Sequence, residues 1–337
     1  MTSQEELLSF VCSCLRISES TAMVFESLPV RGSDRAFFRI SWGDSSAILI
    51  RYDQRREENN YYADIALFLK DIGVSVPTVH GHDRVKGLLL FEDLGRCDLF
   101  SCRHTGPGQL SAVYKNTLAE IHLLHCFPIE KIPSAVCLME GFSTALYGWE
   151  HDYFRLNFVQ GLAGVPLNGP RFEMLQKEFS ELAGHLLRTT TCLVHRDLQS
   201  QNVMLRQNRP YFIDFQGMRL GSAFYDLGSL LNDPYMMLSE DTVLLLLRFY
   251  YDLSERDVPW PRFVDLFWEA SIQRLLQALG AYAFLSRNKG LDSFLEHIPA
   301  GLSRLRTALT HVPWLRTLSH VVSECSDAVT NPQSATD

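Results

Sequence analysis

No stretch of this 337-residue sequence approaches the roughly 20 consecutive apolar residues that span a bilayer. A membrane-embedded protein is therefore not expected, and the start, Met1 to Glu6, lacks the basic and long apolar regions of a signal peptide. Basic residues are in the minority, 31 Lys and Arg against 39 Asp and Glu, for a net charge of -8. That balance argues against a general nucleic-acid or anionic-membrane binder and leaves room only for a local basic patch. The eight cysteines (Cys12, Cys14, Cys97, Cys102, Cys126, Cys137, Cys192 and Cys325) form no CxxC pair and join no Cys/His ligand spacing. A zinc site is not expected. Scattered thiols suit a reducing cytosol, so a cytoplasmic location is the expectation. No internal repeat is visible.

What is present is an ordinary globular composition, 46% hydrophobic and 21% charged, long enough for two lobes of about 150 residues each. One stretch organises it. Leu193-Val194-His195-Arg196-Asp197 leads through Asn202 into Val203-Met204-Leu205; after a polar turn, Arg206 to Arg209, comes Tyr211-Phe212-Ile213 and then Asp214. The two apolar runs predict a small β-hairpin. Transfer of a γ-phosphoryl group needs a base or orienter for the attacking hydroxyl, and divalent cations bridging the phosphates. Asp197, on the loop, can accept the hydroxyl proton. Asn202 can offer an amide oxygen and Asp214 a carboxylate to Mg²⁺, which takes a few hard oxygen ligands alongside phosphates and water. The plain alternative is an exposed turn whose Asp and Asn serve only turn geometry. His195-x-Asp197-x4-Asn202 followed by a strand ending in Asp214 outweighs it.

These residues resemble the catalytic loop and metal-binding segment of the protein-kinase-like superfamily, in its aminoglycoside/choline phosphotransferase branch. Arg196, the Asp214-Phe215-Gln216 ending, Gly221-x3-Tyr225-Asp226-Leu227-Gly228 and the Ile272 to Tyr282 stretch are similar to the bacterial kinases that phosphorylate the anomeric hydroxyl of N-acetylmuramate and N-acetylglucosamine. The resemblance implies a bilobal α+β fold. Residues 1–95 would form a nucleotide-binding lobe with a small antiparallel sheet, 96–325 a mostly helical catalytic and acceptor-binding lobe, and 326–337 a disordered tail. It implies ATP and Mg²⁺ as cofactors, His195 and Asp226 as supports of the loop, and Gln216, Asp233 and Gln273 as candidates for holding the acceptor.

In the first lobe, Val30 to Ile40 and Ala47 to Tyr52 read as two strands about a Trp42-Gly43-Asp44 turn. In kinase-like folds such a hairpin covers the phosphates, which makes Gly32 and Ser33 phosphate-loop candidates, though the loop is no Walker A motif. Arg51 stands where relatives place a phosphate-pairing strand lysine; it is equally a surface arginine on an edge strand. Glu57 or Glu58 would orient it, but acidic residues also suit a helix N-terminus. Phe91-Glu92-Asp93-Leu94-Gly95 is similar to the hinge that reads adenine, with Glu92 and Asp93 either on the ribose or capping the next segment.

The expected function is transfer of the ATP γ-phosphate to a hydroxyl of a small molecule, an amino sugar in first place. An aminoglycoside or choline-type kinase is the alternative within enzymes. A nucleotide-binding regulatory pseudokinase is the alternative of another class. Protein substrates are disfavoured by the lack of an Ala-Pro-Glu segment or activation loop between Asp214 and Asp226. Oligomeric state has no sequence signal.

Overall fold

The computed structural model describes residues 4–29, 35–254 and 258–330. A helix, α1 (Gln4–Leu15), precedes strands β1 (Val24–Ser27), β2 (Ala36–Trp42) and β3 (Ser45–Arg51). Helix α2 (Glu57–Asp71) and strands β4 (Val79–Asp83) and β5 (Leu88–Glu92) complete the first lobe. The strands pair antiparallel in the order β1-β2-β3-β5-β4. Residues two apart in a strand share a face, and that rule sorts this sheet cleanly. Ile40, Ala47, Leu49, Leu88 and Leu90 pack with Leu7 and Val11 of α1. Ile50, Leu89 and Phe91 turn the other way, toward α2 and the second lobe. The sequence gives no sign of β1. Val74 to Thr78 leads into β4 rather than forming part of it, consistent with Pro77, which has no N–H for a ladder.

The second lobe opens with α3 (Pro107–His125) and α4 (Thr144–Tyr153), which continues through 154–162 with the wider winding of a π-helix. After α5 (Gly169–Leu187), strand β6 (Thr191–Val194) leads to the loop that organises the chain. Strands β7 (Val203–Arg206) and β8 (Arg209–Phe212) form the expected hairpin. Its turn is only Gln207-Asn208, both left-handed with φ of 53° and 61°, the geometry that matches strand twist. Strand β9 (Arg219–Ser222) returns to pair with β6. Helices α6 (Ala223–Leu231), α7 (Glu240–Ser254), α8 (Trp260–Lys289), α9 (Ile298–His311) and α10 (Arg316–Thr330) close the lobe. The tail expected from 326 is thus helical as far as Thr330, since Val322 and Cys325 still bury apolar side chains one turn earlier.

Helix α8 is buried along most of its 30 residues. Helix α6 lies so close that a Cβ on Gly228 would sit 2.9 Å from both the Cα and the backbone nitrogen of Ser271. Backbone cannot yield as a side chain tip can, so Gly228→Ala is expected to destabilise by about 1–3 kcal/mol. A urea midpoint equal to that of the unsubstituted chain would show that the helices separate freely. The lobes share one apolar cluster: Ile50, Tyr62 and Phe91 belong with Leu118, Phe215 and Tyr225. Tyr62 meets the rings of Phe91 and Phe215 edge-on at 5.2 and 4.9 Å, joining α2 to the segment after β8.

Candidate active site

The loop after β6 is held from below by one carboxylate. Asp226, fully buried on α6, accepts from the backbone N–H of His195 at 2.6 Å and of Arg196 at 2.8 Å. It also lies 3.1 Å from Nε2 of His125. These bonds hold Arg196 in the left-handed region, φ 77°. His195 ties the loop to the hairpin: its Nε2–H donates to the carbonyl of Ile213 at 3.0 Å, and its Nδ1 accepts from the Asp197 amide at 3.3 Å. The buried carboxylate of Asp233 accepts from the Ser200 amide at 2.7 Å and the Tyr235 amide at 2.9 Å.

So fixed, Asp197 presents its carboxylate to the cleft. Its Oδ1 pairs with Nη2 of Arg274 at 2.5 Å, and Oδ2 lies 3.4 Å from the Asn202 amide nitrogen. That nitrogen also donates to the Asp197 carbonyl at 2.9 Å. The Asn202 oxygen is therefore the amide atom left for a cation. Asp214, left-handed at φ 63°, donates its N–H to the Tyr62 hydroxyl at 3.1 Å. Its Oδ1 accepts from Nη2 of Arg35 at 2.6 Å and from Gln216 at 3.2 Å. Burial pushes this carboxyl up, but Arg35 and His195 outweigh it and hold the pKa below the usual range. Among the described residues no cluster of three or more His, Cys, Asp or Glu side chains forms a self-sufficient metal cage. One carboxylate plus one amide oxygen is a donor set that fits Mg²⁺ only together with phosphates and water.

The cleft between the lobes is an open cavity of about 350 Å³. From the first lobe Arg35, Arg56 and Glu58 line it; Arg51 does not. Arg51 follows Leu49 by two on β3 and so lies on the α1 face of the sheet, its guanidinium 5.9 Å from the Phe38 ring. β3 is also central, flanked by β2 and β5, not an edge. Of the two carboxylates opening α2, Glu57 bonds the Tyr61 hydroxyl, whereas Glu58 lines the cleft 3.9 Å from Arg56. Gly32 and Ser33 lie outside the described residues.

At the hinge, Asp93 is clamped by Arg39 at 2.6 and 3.0 Å, and Glu92 by Arg206 at 2.5 Å and the Thr78 amide at 3.2 Å. Both carboxylates are used on the protein itself, tying the hinge to β2 and to the hairpin. Leu94 is buried.

The opposite wall is built by α4 and α8. Arg274, Gln277, Ala278, Ala281, Tyr282 and Leu285 line it at helical spacing. Gln273 precedes that stripe by one residue and points elsewhere: it is fully buried, bonded to Glu150 at 3.0 Å and His151 at 2.7 Å. Trp149 and Tyr153 of α4 stack at 4.9 Å and complete an aromatic rim. Arg196 and Arg219 enter from the catalytic loop and β9. Arg196 Nε is buried with no protein partner among the described residues. Burial, with Arg196 nearby, pushes the Arg219 guanidinium down. Glu150, fully enclosed, is pushed up by burial despite Arg196. Of the three acceptor candidates, Gln216 lines the cleft, while Asp233 and Gln273 serve the loop and the core. Arg35 and Arg219 line the cleft without any local sequence signal.

A two-lobed fold with a loop and hairpin that bring Asp197 and Asp214 to an interlobe cleft, Asn202 lying beside Asp197, defines a kinase-type phosphotransferase of small molecules. The chain belongs to the phosphotransferase enzyme family known as APH, which it matches over residues 25–264. It is 26% identical over 296 residues to an N-acetylmuramate/N-acetylglucosamine kinase of Pseudomonas aeruginosa, covering 86% of this chain and 85% of the relative. A protein of the same name from Neisseria meningitidis is 28% identical over 282 residues, 81% of each chain. A choline/ethanolamine kinase family structure from Mesorhizobium loti superposes with a TM-score of 0.63 at 17% identity, over 94% of this chain and 99% of that one. APH(2")-IIa in its gentamicin complex gives 0.61 at 14% identity, over 90% and 96%. These structures share the fold. Among the described residues no helix is long and apolar enough to cross a membrane.

Proposed function

We propose that this enzyme transfers the γ-phosphoryl group of Mg·ATP to the anomeric hydroxyl of an N-acetylated amino sugar, with a carboxylate-bearing sugar of the N-acetylmuramate kind as the preferred acceptor. The observation that carries the reading is the charge of the cleft. Among the described residues, six cationic side chains line it (Arg35, Arg56, Arg196, Arg219, Arg274 and Lys289) against three carboxylates, Glu58, Asp197 and Asp214. Nucleotide phosphates account for some of that excess, but Arg196 lies near Tyr153 of the aromatic rim and near Arg219, and both are assigned to the acceptor. Cationic acceptors such as aminoglycosides or choline meet repulsion there, which costs more in a partly dry site than in water. A sugar ring offers apolar faces to the aromatic rim and hydroxyls to Gln216 and Gln277. The relatives' names point to the same acceptors.

Asn202 and Asp214 would hold the metal, and its bound form supplies charge neutralisation across the phosphates. The chain's own part is to place Asp197 against the acceptor hydroxyl and to receive its proton at the carboxylate. An anomeric hydroxyl is more acidic than an ordinary alcohol, so orientation is the larger share of that task. Arg274, bonded to Asp197 Oδ1 and to Ser229 at 3.1 Å, fixes the carboxylate's direction.

The test is a panel of acceptors with Mg·ATP, products read by phosphorus NMR. N-acetylmuramate and N-acetylglucosamine should yield sugar 1-phosphates, the former with kcat/KM about tenfold higher, as one charged contact is worth roughly 1.5–3 kcal/mol. Arg219→Met should erase that preference, and the 1-deoxy sugars should bind without reacting. Phosphate at the 6-position, or consumption of amines alone, overturns the acceptor. Saturable nucleotide binding without turnover on any acceptor would instead favour the regulatory pseudokinase.

A further inference from the structure

The sheet leaves an unexpected gap. On β3 the positions facing the second lobe are Ile48 and Ile50, both apolar, and Arg51 lies behind them on the α1 face. The central strand of the first lobe therefore brings no charge to the nucleotide. Beside it, at the start of β2, Arg35 is 6% exposed and lines the cleft. Its guanidinium is 5.8 Å from the Phe37 ring and 5.6 Å from the Tyr62 ring, with Nη2 2.6 Å from Asp214.

We propose that Arg35 is the phosphate-binding cation of this enzyme, and that its ion pair with Asp214 makes nucleotide and metal bind as a coupled pair. The proposal rests on the phosphotransferase reading and not on the identity of the acceptor. The guanidinium pairs with one oxygen of Asp214, Oδ1, and so neutralises the carboxylate that would help hold a divalent cation. Neither partner can leave alone without stranding a poorly solvated charge. When Mg·ATP binds, the exchange is balanced. The guanidinium passes from a carboxylate to the phosphates, which its planar fork suits equally well, and the carboxylate passes from guanidinium to metal. Either ligand by itself meets a group whose charge the other already neutralises, so each raises the affinity for the other.

The test uses the intact chain without acceptor, so an error in the proposed sugar cannot affect it. ATP is titrated with and without Mg²⁺ by calorimetry, and Mn²⁺ alone is titrated by its electron-spin signal. For the unsubstituted chain, the metal should tighten ATP by at least 100-fold, and Mn²⁺ alone should bind weakly. Arg35→Met should weaken Mg·ATP by at least tenfold while tightening Mn²⁺ alone by at least fivefold, because Asp214 is released. Arg35→Lys, which keeps the charge but loses the fork, should weaken Mg·ATP by about three- to tenfold and serves if the Met variant fails to fold. Arg51→Met should stay within twofold on every titration. The proposal is overturned if either Arg35 variant binds Mg·ATP as the unsubstituted chain does. It is equally overturned if Arg35→Met leaves Mn²⁺ binding unchanged, or if Arg51→Met weakens Mg·ATP.

Discussion

Asp197→Asn is expected to slow phosphoryl transfer by about 10²–10⁴-fold, the range associated with a positioned acid–base group, while nucleotide affinity stays close to that of the unsubstituted enzyme. The substitution keeps the size of the side chain and removes its capacity to take a proton. Asn202 and Asp214 remain in place to hold the metal, so binding and chemistry should separate. Some stability should be lost as well, because the buried Arg274 keeps only neutral partners, Ser229 and Gln277, when the carboxylate is gone. Single-turnover rates and nucleotide titrations on the same preparation make the comparison. A rate within a few-fold of the unsubstituted enzyme would remove Asp197 from the mechanism.

Asp226→Asn should be the most damaging substitution for stability. Its carboxylate accepts from two successive backbone amides and faces His125, all without solvent. An amide can accept on one side only; its nitrogen would then confront another donor. Leaving buried partners unpaired in this way costs about 3–5 kcal/mol when a charged group is involved, a large share of the 5–15 kcal/mol that holds a typical domain. Urea unfolding should show a midpoint shifted accordingly, together with lost activity. A variant as stable as the original would mean that the loop keeps its shape by packing alone.

The loop was legible in the sequence because its chemistry is local. In the proposed mechanism Asp197, Asn202 and Asp214 serve one phosphoryl transfer from one loop and hairpin, so their spacing is constrained within 18 residues. What was not legible depends on which way a side chain faces. A residue shift of one turns a strand side chain through 180° and a helical one through about 100°. Arg51 falls behind the sheet for the first reason, and Gln273 falls beside the wall that Arg274 lines for the second. Glu92 and Asp93 could be read as ribose ligands or caps, and Asp233 as an acceptor ligand, because most of their partners are remote in sequence: Asp93 does accept from the nearby Gly95 amide, but Arg39 is 54 residues from it, and Ser200 is 33 from Asp233. Arg35 and Arg219 had no readable pattern, since only the tertiary fold brings them to the cleft.

Two residues of the catalytic segment, Arg196 at φ 77° and Asp214 at φ 63°, occupy a backbone region that glycine enters without strain. Aspartate tolerates it better than most side chains, but a long cationic one gains nothing there locally. Such positions cost of order 1–3 kcal/mol and persist only where the surroundings insist on them. Heat resistance and turnover therefore pull residue 196 in opposite directions. A lineage or a library selected for thermostability alone would drift toward glycine at that position. It would gain a sturdier loop and lose one of the guanidinium groups that line the cleft.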